Sequence, residues 1–151
     1  MSLSLDEIFQ MIPESKKTIL KASESLSLLT NQNDIEEKNI LIAMEKVSDA
    51  ISKVDSVIHF LDELSNSLPN YLSDVSGERD LLVDAINNAT ITIDYVFDMN
   101  LDKVETIGIY AYGYISIREQ FNVDLNNSTV HLKSIFDQII SLLNQVDRKL
   151  R

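Results

Sequence analysis

The chain of 151 residues contains no cysteine, only two prolines and only three glycines. Without cysteine there can be no disulfides, thiolate metal sites or cysteine nucleophiles, and the absence fits a reducing compartment. Because proline and glycine interrupt regular structure, their scarcity predicts long, uninterrupted elements. No run of about 18 apolar residues occurs, so we expect no membrane span. No signal peptide is recognisable either, since Ser4, Asp6 and Glu7 interrupt any apolar start. A cytoplasmic location is the expectation.

Basic residues are also scarce: 13 Lys and Arg stand against 24 Asp and Glu, a net charge of −11. The imbalance is greatest in residues 62–105, where ten acidic and two basic residues give −8, whereas residues 1–61 carry −4 and residues 106–151 carry +1. Nucleic-acid binding requires clustered Lys and Arg, so we expect no nucleic-acid partner. Anionic membrane surfaces are disfavoured for the same reason. The charge favours a basic protein as the partner.

What the sequence does contain is apolar residues at helical spacing. The apolar fraction of 44% and the length fit one globular domain over 1–151. The first register follows an S-x-x-E capping pattern at Ser4 and Glu7 and alternates spacings of three and four, comprising Leu5, Ile8, Ile12, Ser15, Ile19, Ala22, Leu26 and Leu29. Pro13 lies inside it, which predicts either a kink or two short helices.

The second register is the longest and runs without a break. It comprises Ile40, Met44, Val47, Ile51, Val54, Ile58, Leu61, Ser65 and Leu68. With Asn33 or Asp34 as the N-cap, it predicts a helix over about 34–68 that ends before Pro69, with Gly77 as a second break. A helix of that length would span roughly 50 Å at 1.5 Å per residue, which favours an elongated bundle.

Two further registers complete the helical interpretation. The third comprises Leu82, Ala85, Ala89, Thr92, Val96 and Met99, flanked by Ile86, Ile93 and Phe97. The last comprises Leu132, Ile135, Ile139, Leu142 and Val146, widened by Phe136, Ile140 and Leu143, with Asn127 or Ser128 as the expected cap. It ends in basic residues, which suit the negative end of a helix dipole.

The stretch "TIGIYAYGYISIREQF", residues 106–121, has a second interpretation. Its alternation, and that of "ATITIDYVF" before it, is also typical of a β-hairpin over about 89–117. We prefer a helix, because an isolated two-stranded sheet is marginal and no third strand candidate exists. The stretch also fits a helical register through Val104, Ile107, Ala111, Tyr114, Arg118 and Phe121. The sequence therefore predicts an all-α, elongated antiparallel bundle of four or five helices, with the hairpin as the alternative.

Carboxylates four residues apart are the first candidates for chemistry. Asp80 and Asp84, Asp94 and Asp98, and Asp98 and Asp102 would each share a helix face and could hold Mg²⁺. All-α nucleotide pyrophosphohydrolases use an E-E-x-x-E pattern with a later E-x-x-D, but here Ile40 stands where the third acid should be and no E-x-x-D follows. A solvated acidic face is the preferred interpretation, and a Mg²⁺-dependent hydrolase is the alternative. We expect no metal and no cofactor.

The remaining chemistry-bearing residues give weak signals. His59 is expected at the surface or boundary of the second helix. His131, in "VHLKS", falls short of the H-x-L-K-G motif of histidine phosphotransfer bundles, because the lysine comes one position early and the glycine is missing. No nucleophile elbow or phosphate-binding loop is present, so we expect no catalytic residues and no enzyme.

Tyrosine is concentrated at one place, with Tyr110, Tyr112 and Tyr114 within five residues. Tyrosines suit protein interfaces, although on a helix they also serve as core-edge residues. The sequence as a whole predicts a non-catalytic acidic bundle that binds a protein partner through Asp80, Asp84, Asp94, Asp98 and the tyrosines. An acidic inhibitor or immunity-type protein that neutralises a basic toxin or nuclease is the alternative. The abundance of heptads leaves a homodimer open.

Overall fold

The computed structural model describes residues 5–30, 37–67, 74–94 and 115–151, with side chains from residue 38 in the second segment and from residue 123 in the fourth. They form four helices: α1 (Leu5–Ser27), α2 (Glu37–Ser67), α3 (Ser76–Thr92) and α4 (Ile115–Leu150). No strand occurs among these residues. The all-α prediction is confirmed. The expected N-caps at residues 4, 33 and 34 lie outside the described residues.

The four helices form an antiparallel bundle in which each helix packs against two neighbours, in the ring order α1, α2, α3, α4 and back to α1. Contacts between α1 and α4 show the antiparallel register: Lys16 bonds to Asn144 near one end, and Lys133 bonds to Ser27 nearer the other. A single apolar core runs through the centre. None of the described helices combines the length and apolarity that crossing a bilayer requires.

Helix α1 buries the face that the spacing predicts. Every predicted position from Ile8 to Leu29 is buried, while Leu5 is partly buried. Pro13 lies on the exposed side of an uninterrupted helix, so two separate helices are not formed. A proline inside a helix removes one backbone hydrogen bond and costs about 3 kcal/mol. Buried positions on both sides of Pro13 offset that cost.

Helix α2 matches the predicted bounds within three residues, but three of the eight described positions of its predicted seam are only partly buried. Buried as predicted are Ile40, Val47, Val54, Ile58 and Leu61, whereas Met44, Ile51 and Ser65 are only partly buried. Leu68 lies outside the described residues. Further buried residues stand one position before the alternate seam residues, at Ala43, Ala50, Val57 and Leu64. A helix in a four-helix bundle faces two neighbours and needs a wider apolar face than a two-stranded seam.

Helix α3 also confirms its register, since Leu82, Ala85, Ala89 and Thr92 are buried. Gly77 lies in the first turn of α3 and is therefore not the break that we predicted. The hairpin alternative fails at both of its described ends. The N–H of Ile93 still donates to the carbonyl of Ala89, and residues 115–117 begin α4. Val96, Phe97, Met99 and the rest of residues 95–114 lie outside the described residues.

Helix α4 corrects the expected cap at Asn127 or Ser128, because the helix passes through both residues. The Ser128 hydroxyl donates to the Asp124 carbonyl, and the Thr129 hydroxyl donates to the Leu125 carbonyl, each at 2.8 Å. Leu125, Thr129 and Leu132 are all fully buried at spacings of four and three. This segment therefore extends the core seam by two turns, and its polar residues are accommodated within the helix.

Candidate functional site

The bundle topology collects most of the negative charge on one side. Segments 37–67 and 74–94, which contain α2 and α3, carry net charges of −3 and −4. Segments 5–30 and 115–151, which contain α1 and α4, carry −1 and +1. Because α2 and α3 are neighbours in the ring, one side of the described bundle carries −7 and the opposite side is neutral. We call these the acidic side and the neutral side.

The predicted acidic residues that the structure describes all reach solvent on the acidic side. Asp80, Asp84 and Asp94 are exposed. Asp80 and Asp84 are one helical turn apart on α3 and share a face. Asp98, Tyr110, Tyr112 and Tyr114 lie outside the described residues. The described part of the prediction is thus a set of solvated carboxylates on one helix, next to the acidic residues of α2.

A groove of about 390 Å³ runs between α2 and α3 on this side. Three isoleucines form its apolar floor: Ile51 of α2, which is partly exposed, and Ile86 and Ile93 of α3, which belong to the core and expose only 8% and 6% of their surface. Polar side chains form the rest of the lining, namely Ser48, Ser52, Asp55, Asn87, Thr90 and Asp94. No basic residue is among them. The groove therefore combines an apolar floor with an acidic rim.

The two carboxylates of this rim stand at different levels along the bundle. The contact between Asp62 and Arg79 fixes the antiparallel register of α2 against α3. Counting along both helices from that contact places Asp94 about eight residues away from the level of Asp55. At 1.5 Å per residue the separation along the axis is about 12 Å. The groove is thus elongated, with one carboxylate near each end.

Arg79 is the basic residue of the α3 segment, and it is already engaged. Its guanidinium donates two hydrogen bonds to the Asp62 carboxylate, at 2.9 and 3.1 Å, and a third to Asp80 at 3.1 Å. These hydrogen bonds raise the pKa of Arg79, because both carboxylates favour its charged form. The contact ties α2 to α3 below the groove and neutralises part of the charge there. Asp55, Asp84 and Asp94 are not part of it.

His59 lies beside the groove on the solvent face of α2, with about 72% of its side chain exposed. Its Nδ1 is 2.9 Å from the Asp55 carbonyl oxygen and 3.5 Å from the Asp55 carboxylate. The hydrogen bond to that carbonyl is the main cause that raises the pKa of His59, and the charges of Asp55, Asp62 and Glu63 add to it. Its predicted surface position is confirmed. His59 also lines a second open depression of about 340 Å³ with Met11, Asp55, Ser56, Phe60 and Glu63.

Glu78 is the buried carboxylate of α3, with only 9% of its side chain exposed. It pairs with Lys149 of α4, whose Nζ also donates to the Asp74 carbonyl at 3.0 Å. The hydrogen bond from Lys149 lowers the pKa of Glu78, against the effect of burial. Since Glu78 faces inward, this ion pair fastens one end of the bundle and is not part of the exposed acidic surface. Leaving the pair out of the charge count gives −6 on the acidic side and −1 on the neutral side.

Within the described segments no group of three Asp, Glu or His side chains is placed to hold a metal ion. Asp80 pairs with Arg79 at 3.1 Å. His131 is exposed on α4, which is not one of the two helices that form the groove. Of the predicted acidic residues, Asp94 lines the groove between α2 and α3.

Sequence reasoning found Asp94 but missed the groove and Asp55. Their grouping depends on which helix faces which, and the position of Asp55 one residue after the buried Val54 was the only available signal. Comparison with known proteins finds no matching family model, curated protein or solved structure. The case for function therefore rests on the geometry and charge of this chain.

Proposed function

We propose that this protein is a non-catalytic binding protein whose acidic side docks a basic protein partner. The observation that carries the proposal is the asymmetry of charge around the bundle, −7 on the α2–α3 side and zero on the α1–α4 side. A surface charge of one sign attracts the opposite charge and orients it before contact. An even distribution of the same residues would attract a basic partner without orienting it.

The size of the electrostatic effect depends on salt. The Debye length is about 30 Å at 0.01 M salt and about 8 Å at 0.15 M, so steering acts over the whole side only at low salt. Complementary charge raises association rates from about 10⁵–10⁶ to as much as 10⁸–10⁹ M⁻¹s⁻¹. We expect the partner's association rate to fall steeply with salt, while its dissociation rate changes less.

The test compares two variants with the same loss of charge. The first, D80N/D84N/D94N, neutralises exposed carboxylates of the acidic side. The matched control, E14Q/E24Q/D137N, neutralises exposed carboxylates of α1 and α4. Each immobilised variant is used to capture proteins from native lysate at low and physiological salt. A basic protein that the wild type and the control capture, but the first variant does not, supports the proposal. Equal capture by both variants refutes it.

An inhibitor or immunity-type role is a narrower form of the same proposal. Fast, steered association is what neutralising a basic toxin or nuclease requires, and the charge asymmetry favours it. The distinguishing measurement is the captured protein's own activity: an inhibitor abolishes it at equimolar ratio, and an adaptor leaves it intact. The Mg²⁺-dependent hydrolase, one of whose expected ligands, Asp98, lies outside the described residues, stays an alternative prediction. Self-association, and a role for Tyr110, Tyr112 and Tyr114, stay predictions.

A further inference from the structure

We infer that the groove between α2 and α3 receives one face of a basic amphipathic helix from the partner protein. This inference rests on the proposed function and specifies which part of the acidic side makes the contact. Two independent features point to it: the apolar floor formed by Ile51, Ile86 and Ile93, and the carboxylates of Asp55 and Asp94 on the rim.

The shape of the groove favours a helix over other occupants. It lies along two antiparallel helices, so a third helix laid over it would pack by the same ridges and grooves as the bundle itself. An extended peptide that binds by strand addition needs the unpaired backbone groups of a sheet edge, and the described residues contain no strand to provide them. A polyproline segment needs an aromatic-lined groove, and no aromatic residue lines this one. A small ligand would leave much of its surface in water here, whereas ligand pockets bury about 70–90% of it.

The spacing of the rim specifies the pattern of the incoming helix. Asp55 and Asp94 are about 12 Å apart along the groove, a distance that a helix covers in seven or eight residues. Residues i and i+7 of a helix lie on the same face, and residues i+3 and i+4 lie between them on that face. The matching pattern is therefore Lys or Arg at i and i+7, with large apolar residues at i+3 and i+4. The apolar pair would lie over the isoleucines.

Charge excludes the most obvious competitor, a second copy docked through the same side. Two acidic sides of −7 each would repel one another, and close like charges cost several kcal/mol at an interface. A basic helix would instead be attracted by Asp55 and Asp94. Asp55 is accessible to it, because about 50% of its side chain is exposed.

The experiment uses two labelled helical peptides of identical composition and the full-length protein. The first peptide carries Lys at positions i and i+7 and Leu at i+3 and i+4, and the second has the lysines moved to the opposite face. Fluorescence anisotropy measures Kd for the wild type and three variants. S52W fills the groove without changing charge, D55N/D94N removes the rim charges, and S141W is the matched control on the exposed face of α4.

The inference predicts that the first peptide binds at least about tenfold more tightly than the second, a difference of about 1.4 kcal/mol. S52W and D55N/D94N should each lose about tenfold or more, and S141W should match the wild type. Equal binding of the two peptides, no binding of either, or full binding by S52W would each overturn the inference. So would sedimentation that showed a homodimer abolished by S52W. If S52W bound the peptide unchanged while D80N/D84N/D94N no longer captured the basic protein, the groove would be wrong as the docking site. The proposed function would still stand.

Discussion

The ion pair between Glu78 and Lys149 offers the sharpest test of how the bundle is held together, because its two partners differ in burial. Glu78 has 9% of its side chain exposed and Lys149 has 47%. Changing Lys149 to Met keeps the aliphatic stem and leaves the Glu78 carboxylate without its side-chain donor. A hydrogen bond to a charged group contributes about 1.5–3 kcal/mol, and we expect the lower half of that range because Lys149 is half in water.

A loss of about 1.5–2 kcal/mol should lower Tm by about 3–8 °C in a chain of this size. The control is R148M, which removes the same charge from the same last turn at an exposed position. Urea titrations of the wild type, E78Q, K149M and the double variant form a double-mutant cycle. The cycle separates the Glu78–Lys149 interaction from the hydrogen bond that Lys149 donates to the Asp74 carbonyl. The expected coupling energy is about 1 kcal/mol. If the losses of unfolding free energy in the two single variants added up to that of the double variant within about 0.3 kcal/mol, the reasoning would be refuted.

Acid provides a second check on the same pair. The pKa of Glu78 is lower in the folded protein than its ordinary value of about 4.3. The stabilisation is therefore fully present above that ordinary value and is lost as pH falls through the lower folded pKa. The difference in unfolding free energy between the wild type and K149M should be constant at neutral pH and should shrink in acid. A difference that persisted undiminished to about pH 1 would contradict the assignment.

Three further changes test the core, the proline and the groove. Phe136→Ala empties the site of a fully buried side chain and should destabilise by about 3–5 kcal/mol in urea titration. Pro13→Ala restores a helical N–H and should raise the unfolding free energy by as much as about 3 kcal/mol, and a decrease would contradict the account of α1. His59 gains a positive charge beside Asp55 as pH falls through its raised pKa, so the basic peptide should bind more weakly in mild acid, and H59N should abolish that pH dependence.

The sequence was most informative where one helix face was apolar and regularly spaced. The positions from Ile8 to Leu29 in α1, and from Leu132 to Val146 in α4, are buried as predicted. Periodicity reports burial directly, since a residue's angle around its helix follows from its number. In the segment that also suited a β-hairpin, Ile91 lies within α3 and Ile93 is its C-cap, although isoleucine favours strands.

Local signals misled where packing overrode them. Asn127 and Ser128 have the chemistry of caps, yet Leu125 and Leu132 on either side are buried and hold the helix through them. Gly77 and Pro13 are ordinary helix breakers, yet both lie on exposed helical turns where neither contacts the core. A cap or break signal describes a preference of about 1–3 kcal/mol, which the burial of two large apolar side chains can exceed.

The groove could not be predicted from any single segment of the sequence, because residues of two helices line it. Ile51 was assigned to the seam of α2, Ile86 and Ile93 to the flank of α3, and Asp55 to nothing. Only the ring order of the helices shows that they line one surface. For α1, α2 and α3 the order has a simple origin, because only nine and eight residues separate consecutive helices, and helices joined by short connections become neighbours in an antiparallel bundle. Acidic residues concentrated in consecutive segments therefore gather on one side, whereas the same number in α1 and α3 would face opposite ways. The position of the acidic residues along the chain thus determines which side of the folded protein attracts a basic partner.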